Sequence, residues 1–162
     1  MVFVTMGSQK FQFDRLLKAV DDLRATGAIS ELVFAQTGAC TYLPEHIESA
    51  QFLDRDKFKA TMASSDVVIT HGGTGAIIGA VKAGKKVIAV PRLARYGEHV
   101  DDHQVEIVNQ FADMGLIEPC LDTANLKLAY DNARSKSYRS YASNTDAFIA
   151  DLRLYLQTIG DK

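Results

Sequence analysis

The residues best suited to chemistry form a glycine-rich turn near the middle of the chain. The segment reads Thr70-His71-Gly72-Gly73-Thr74-Gly75-Ala76, directly after a buried apolar run and at the start of a helical pattern. Glycines let a ligand approach the backbone closely, and the free N–H groups of a helix N-terminus favour an anion such as phosphate. His71 can donate a hydrogen bond to the same anion. Because a simple turn does not require three glycines within four residues, the segment predicts an anion site.

A second group of polar side chains lies in a loop after a later apolar run. The loop from Pro91 to Gln104 contains cations, a carboxylate, two histidines and an amide. Asp101 and Gln104 have the spacing of a pair that caps the following helix, and the arginines can be solvated. Capping does not explain the remaining polar residues, and a polyhydroxylated ligand needs such a mixture of donors and acceptors. Ligand contacts are predicted for four side chains of this loop: Glu98, His99, His103 and Gln104.

Several familiar motifs are absent or incomplete. The first predicted βα turn, from Gly7 to Phe11, lacks the G-x-G-x-x-G pattern, and Gln36 stands where a dinucleotide site needs Asp or Glu. The segment from Gly79 to Lys86 nearly spells a Walker A loop, but Lys86 replaces the required Ser or Thr. The chain has no G-x-S-x-G elbow, and the H-x-D-D-H run at 99–103 lacks zinc-ligand spacing. These observations argue against a dehydrogenase, a P-loop NTPase, a serine hydrolase and a metal site.

Composition excludes further classes. Eighteen Lys and Arg against twenty Asp and Glu give a net charge of −2, so the electrostatic pattern of a nucleic-acid-binding protein is missing. Cys40 and Cys120 lie far apart, which signals neither a zinc site nor a disulfide framework and favours a reduced, cytosolic environment. No apolar run approaches the roughly 20 residues that span a bilayer, and the first residues do not resemble a signal peptide.

Short apolar runs alternate with amphipathic stretches along the chain. This alternation predicts a Rossmann-like, doubly wound α/β domain, with a parallel sheet covered on both faces, over residues 1–162. The predicted strands are Val2–Val4, Leu32–Ala35, Gln51–Leu53, Val67–Ile69, Val87–Val90 and Leu116–Ile117. The predicted helices lie near 13–23, 54–64, 74–83, 107–114 and 143–159. The last helix has a broad apolar face, which favours a core position and leaves docking to a partner as the alternative.

Strand order along the chain also places the candidate residues. Ligands of doubly wound sheets bind beyond the carboxyl ends of the strands. The loop Gly7-Ser8, the turn at 71–76 and the loop at 91–103 follow the first, fourth and fifth predicted strands. We therefore expect these three segments to meet at one edge of the sheet.

Taken together, these motifs resemble the C-terminal, donor-binding domain of family 28 glycosyltransferases. The resemblance covers residues 1 to about 115 and rests on the segments at 2–8, 13–17, 65–73, 83–92 and 96–104. The segment Tyr96-Gly-Glu-His-Val-Asp-Asp-His-Gln104 is particularly similar to the small catalytic subunits of bacterial exopolysaccharide and capsule glycosyltransferases. Those subunits are similar in turn to the soluble subunit of the two-subunit dolichol-linked N-acetylglucosaminyltransferase.

The resemblance implies the donor-binding half of a GT-B enzyme. Such a half binds a UDP-sugar, needs no metal or other cofactor, and transfers a hexose or N-acetylhexosamine with inversion to a lipid-linked acceptor. It further implies that His71 and the turn Gly72 to Ala76 hold the diphosphate, that Gln104 with Asp102 or His103 contacts the donor sugar, and that Gly7-Ser8 forms the cleft loop. The acceptor site would lie on a membrane-associated partner subunit, which would hold this chain at the inner face of the membrane.

One departure from the family pattern stands out. Many relatives place a Glu that holds the ribose where this chain has Gly79. This difference keeps open an alternative, a non-catalytic nucleotide-sugar-binding or regulatory subunit that supports a partner glycosyltransferase. A sugar-nucleotide epimerase of similar fold would need a second half, for which 162 residues leave no room. The catalytic base is not assigned to any residue.

Overall fold

The computed structural model of the protein describes residues 1–160. Its centre is a parallel sheet of six strands in the order β3-β2-β1-β4-β5-β6. The strands are β1 Val2–Thr5, β2 Val33–Gln36, β3 Glu48–Ala50, β4 Val67–His71, β5 Lys86–Val90 and β6 Glu118–Pro119. The chain order reverses between β1 and β4, which creates the crevice where doubly wound sheets bind ligands. The predicted α/β fold with a parallel sheet is confirmed.

Helices cover both faces of this sheet. They are α1 Asp14–Ala25, α2 Arg55–Ser64, α3 Thr74–Lys82, α4 His103–Asp113, α5 Leu126–Ser135 and α6 Thr145–Gly160. Alternate residues of each central strand enter opposite cores because successive side chains of a strand point to opposite faces. In β1, for example, Val2 and Val4 pack with α1 and α5, whereas Phe3 packs with α2, α3 and α4. Two apolar layers therefore hold the strand ends, and the loops that follow them, in fixed positions.

Both edge strands differ from their predicted positions. The third strand was expected at Gln51–Leu53 but lies at Glu48–Ala50, where it pairs with β2. The sixth was expected at Leu116–Ile117 but lies at Glu118–Pro119. Apolar runs mark buried side chains, whereas an edge strand is defined by its backbone pairing and needs no apolar run. Of the two apolar runs, Phe52 and Leu53 line a cleft instead, whereas Leu116 and Ile117 are buried in the core.

The last helix does not pack in the core, and the expectation that it would is wrong. Every side chain described in α6 is exposed, since the helices α1 to α5 already cover the sheet. Its exposed apolar side chains are Phe148, Ile149, Leu152, Leu154, Tyr155, Leu156 and Ile159. Within residues 1–160, no helix combines the length and the apolar character that crossing a membrane requires.

Candidate functional site

A cleft of about 1020 Å³ opens between α2 and α3. Its floor includes Thr5 and Gln36, which end β1 and β2, and the loop Gly7-Ser8 borders it as expected. The α3 wall includes Gly75, Ala76 and Gly79, which continue the glycine-rich turn. The crevice predicted from strand order therefore contains two of the three loops predicted to meet there.

His71 lies between two glycines of different loops. A Cβ added to Gly7 would come within 2.6 Å of the imidazole Cε1, and one added to Gly73 within 2.4 Å of Nε2. Gly7 also has a φ of +76°, a backbone conformation that residues with a Cβ atom rarely adopt. The imidazole is therefore held in position by close backbone contacts on both sides, and glycine is required at both places.

The same enclosure controls the charge of His71. Burial, together with the nearby Arg92 guanidinium, lowers the pKa of His71 to about 4. The imidazole is thus neutral near pH 7 and can donate one hydrogen bond to an anion without contributing a positive charge.

The N-terminus of α3 is open for a ligand. Its N-cap residue is Gly73, which has no side chain, and no other side chain of residues 1–160 caps the first turn. Within residues 1–160, the N–H groups of Thr74, Gly75 and Ala76 have no hydrogen-bond partner. Uncapped N–H groups and the helix dipole together favour an anion at this position. By contrast, the N–H group of Gly72 is already used and is unavailable to a diphosphate.

Gln104 holds two loops together. Its Oε1 accepts hydrogen bonds from the N–H groups of Gly72 and Arg92, both at 3.0 Å, and the side chain is buried. The predicted capping pair of Asp101 with Gln104 is therefore wrong, because Asp101 alone accepts from the N–H group of His103. The Nε2 group of Gln104 donates to no group within residues 1–160, but Gln104 is not among the residues that line the cleft, so its sugar contact stays a prediction.

Glu98 cannot make the predicted sugar contact. Its carboxylate is fully buried and pairs with the Arg15 guanidinium at 2.9 and 3.0 Å. It also accepts a hydrogen bond from the N–H group of Leu93 at 3.0 Å. Both oxygens are thus occupied in joining α1 to the loop after β5, and Glu98 is a structural residue.

The other predicted sugar ligands lie around the N-terminus of α4, where Asp102 and His103 are exposed and His99 is half-buried against the Phe11 ring. His99 Nδ1 lies 3.1 Å from an Asp101 carboxylate oxygen, and His103 Nδ1 lies 3.1 Å from a Glu106 oxygen. Asp102 accepts from the N–H group of Ala94 at 2.7 Å. None of these side chains lines the cleft between α2 and α3, so their sugar contacts stay predictions.

Sequence reasoning missed the α2 side of the cleft. Phe52 and Leu53 line it, and Gln36 Oε1 accepts a hydrogen bond from the N–H group of Leu53 at 3.2 Å. Arg55 and Lys59 also line it, and within residues 1–160 neither has a carboxylate within ion-pair distance. The i, i+4 spacing of these two cations on α2 was the available signal, because it places both on one helix face.

The low pKa of His71 makes the stability of the folded protein depend on pH. The unfolded histidine binds a proton near pH 6.5, whereas the native one does so only near pH 4. As pH falls from 6.5 to 4, the unfolded state therefore gains protons that the native state does not, and native stability falls by about 2–3 kcal/mol. We expect His71→Asn to show a smaller loss over this range in urea denaturation. Equal pH slopes for the two proteins would contradict a neutral native His71.

Comparisons with known proteins identify the family and the fold. Residues 1–158 match the glycosyltransferase family 28 C-terminal domain. The human UDP-N-acetylglucosamine transferase subunit ALG13 is 28% identical over 128 residues, which cover 74% of this chain and 11% of that protein. The chain thus spans about a tenth of the length of this curated relative.

Two solved structures share the fold. They are the glycosyltransferase of kitacinnamycin, with a TM-score of 0.60 and 18% identity, and the calicheamicin glycosyltransferase CalG4, with 0.59 and 20%. Each similarity covers 83% of this chain, but only 35% and 34% of the respective structures. The likeness therefore concerns one domain of each larger protein.

Proposed function

Since the chain belongs to the glycosyltransferase family 28 C-terminal domain family, we propose that it is the donor-binding subunit of an inverting UDP-sugar-dependent glycosyltransferase. The transferred group is a hexose or N-acetylhexosamine, and the acceptor is a lipid-linked sugar used in exopolysaccharide or capsule synthesis. The observation that carries the proposal is the uncapped N-terminus of α3, which borders the cleft through Gly75 and Ala76 and lies beside the neutral imidazole of His71. This arrangement suits a diphosphate.

The cleft offers a separate environment for each part of UDP. The N–H groups of Thr74, Gly75 and Ala76 would bind the diphosphate, with His71 as a further donor. Arg55 and Lys59 stand on the opposite wall, where their positive charge favours the same anion. The apolar side chains near them would pack against the uracil ring, and these are Phe52, Leu53, Phe58 and Met62.

Gly79 leaves the ribose without a carboxylate partner on α3. A Cβ at this position would meet no atom of residues 1–160 within 4 Å, so the space beside α3 is open in this part of the chain. In this proposal the ribose hydroxyls bind to water or to side chains of α2. The same open space supports the second candidate, a subunit that binds nucleotide sugar and regulates a partner without taking part in catalysis.

In this proposal the residues of this chain bind the UDP-sugar donor, and the proton of the acceptor hydroxyl is removed by another group. Inverting transfer needs a base that removes the proton of the acceptor hydroxyl. We assign no base within this chain. His71 is enclosed by Gly7 and Gly73, and its role in the proposal is to donate a hydrogen bond to the diphosphate. The base would come from the acceptor-binding partner.

A partner subunit also fits the exposed last helix. The curated relative is itself named a transferase subunit. We place the docking surface on α6, because its apolar side chains, including Leu152, Leu156 and Ile159, remain exposed in the folded chain. A membrane-associated acceptor-binding subunit that covers α6 would bring this chain to the inner face of the membrane.

Titration with UDP tests donor binding directly. We expect amide NMR shifts in the turn at 71–76, and a roughly five- to tenfold weaker affinity for Lys59→Gln, because one charge-assisted contact to phosphate is lost. Lys57→Gln is the matched control on the same helix, since Lys57 pairs with Asp54 and does not line the cleft. Equal loss in both variants, or shifts confined to other regions, would contradict the site.

The two candidate functions separate when the partner is present. The chain is co-expressed with a membrane-associated partner, and UDP release is measured with a lipid-linked acceptor. A catalytic subunit predicts that His71→Ala abolishes turnover while the complex still forms. If His71→Ala binds no UDP but turnover persists, the chain acts as a regulatory subunit.

A further inference from the structure

A second cavity lies near the amino end of β5, on the opposite side of the sheet from the carboxyl end of β4 and the glycine-rich turn. It has a volume of about 600 Å³ and lies beside Lys86, which begins β5, and the C-terminal end of α3. Its outer wall is the segment from Ser135 to Tyr141, with Ser143, which connects α5 to α6. Nothing in the proposed binding of UDP uses this cavity.

The charge of this cavity has one sign. Among residues 1–160, five cationic side chains line it and no carboxylate does, although the whole chain carries a net charge of −2. The five are Lys82, Lys85, Lys86, Lys136 and Arg139. A concave surface lined by one sign of charge concentrates counter-ions of the other sign.

Three of these cations have ordinary structural partners. Lys85 donates to the carbonyl groups of Ala63 and Ser65 at 2.6 and 2.7 Å, near the end of α2. Lys86 donates to the Arg134 carbonyl at 2.5 Å, in the last turn of α5. Lys136 pairs with Glu118. The positions of these three lysines are therefore explained by their partners. Two of them donate to carbonyl groups at helix C-termini, where cations are favourable, and the third pairs with a carboxylate.

The same explanation does not extend to Lys82 and Arg139. Within residues 1–160, neither has a carboxylate within ion-pair distance, and the Arg139 guanidinium donates to no acceptor. Lys82 Nζ lies 5.1 Å from the centre of the Tyr141 ring. The Ser137 and Ser140 hydroxyls line the same cavity, and neither bonds to another group in this part of the chain. Two cations and two hydroxyls are thus available to a ligand.

We propose that this cavity binds a phosphate group. The forked N–H groups of an arginine match phosphate oxygens in pairs, a lysine adds a point charge, and serine hydroxyls donate further hydrogen bonds. A phosphate group at this edge belongs either to an anionic phospholipid headgroup or to a soluble phosphate compound. Both present the same oxygens to Lys82 and Arg139.

Binding experiments on the full chain distinguish these sources. One arm titrates inorganic phosphate and pyrophosphate and follows the amide NMR shifts of residues 135–143. The other measures co-sedimentation with vesicles of phosphatidylglycerol mixed with phosphatidylcholine, and with phosphatidylcholine alone. We expect the double variant Lys82→Gln, Arg139→Gln to weaken the binding roughly ten- to thirtyfold, because each basic side chain contributes separately. Both side chains are exposed, so we expect the variant to fold normally.

A charge-matched control separates a site from a general charge effect. Lys18→Gln with Lys127→Gln removes the same two charges from exposed positions outside the cavity. If the Lys82→Gln, Arg139→Gln variant binds free phosphate more weakly and the control variant does not, the ligand is a soluble phosphate compound. If this difference is seen only with phosphatidylglycerol vesicles, the ligand is a lipid headgroup. Equal losses in the two double variants, or no binding in either arm, would overturn the proposal. Donor binding is read separately, from the amide shifts of the turn at 71–76 and from Lys59→Gln, so failure of the phosphate proposal does not bear on it.

Discussion

Replacing Gly73 with alanine is expected to weaken UDP binding strongly without unfolding the sheet. The new Cβ would lie 2.4 Å from Nε2 and 2.9 Å from Cδ2 of His71, so either the imidazole or the turn must move. Overpacking of this kind costs about 1–3 kcal/mol. Because the strain falls on the geometry that binds the diphosphate, affinity should drop roughly 5- to 150-fold. Calorimetric titration with UDP measures the loss, and circular dichroism reports the fold.

Gly79→Ala is the matched control for this substitution. It adds the same methyl group to α3, whose N-cap is Gly73, but at a position where no atom of residues 1–160 lies within 4 Å of the new Cβ. Alanine in a helix interior is also more stable than glycine by about 1 kcal/mol. We therefore expect near-normal UDP affinity and higher thermal stability. If Gly73→Ala binds UDP as well as Gly79→Ala does, His71 and its turn do not hold the diphosphate.

The second large effect is expected for Arg92→Met, which should destabilise the whole domain. The buried guanidinium donates to the carbonyl groups of Met6 at 2.5 Å, Phe11 at 2.6 Å, and Gln12 and Glu98 at 3.2 Å. Methionine fills similar space but leaves these acceptors without a donor, and each buried unsatisfied group costs about 1–3 kcal/mol. Since the loops can relax, we expect a total loss of about 3–5 kcal/mol in urea denaturation.

Two further variants test this interpretation. Arg92→Lys keeps the charge with fewer and differently placed donors, so an intermediate loss is expected. Arg95→Met removes a nearby arginine that is exposed over the Tyr96 ring, and its effect should stay within about 0.5 kcal/mol. Similar stability changes for Arg92→Met and Arg95→Met would show that the carbonyl contacts of Arg92 contribute little.

The core pattern made much of the architecture predictable. Continuous apolar runs such as Val67–Ile69 mark strands covered on both faces, and Asp54 caps α2 through the N–H groups of Asp56 and Lys57 as its residue type predicts. Edge strands were less predictable, because β3 at Glu48–Ala50 is held by backbone pairing and carries no apolar signature.

The glycine-rich turn was the part of the site that sequence alone identified. The pattern Thr70 to Ala76 after a strand is local, and so is the geometry of a helix N-terminus, which explains why the position of the uncapped turn followed from spacing. The opposite wall was missed, since Arg55 and Lys59 come from α2 and reach the cleft only through the packing of α2 against the sheet.

Tertiary structure decided what each polar residue of the loop after β5 does. Glu98 and Arg92 look from sequence like ligand-binding or solvated groups, yet both are buried: Glu98 joins the loop to α1, and Arg92 joins it to the segment after β1. Gln104 uses Oε1 to hold two loops together, which leaves only its Nε2 without a partner within residues 1–160. Partners such as Arg15 and Met6 are far away along the chain and come close only in the folded protein. Sequence by itself determined the central strands of the sheet and the glycine-rich turn that begins α3, because these follow from local pattern and chain order. Which polar side chains of this loop are buried structural groups and which are left free for a ligand depended on long-range packing.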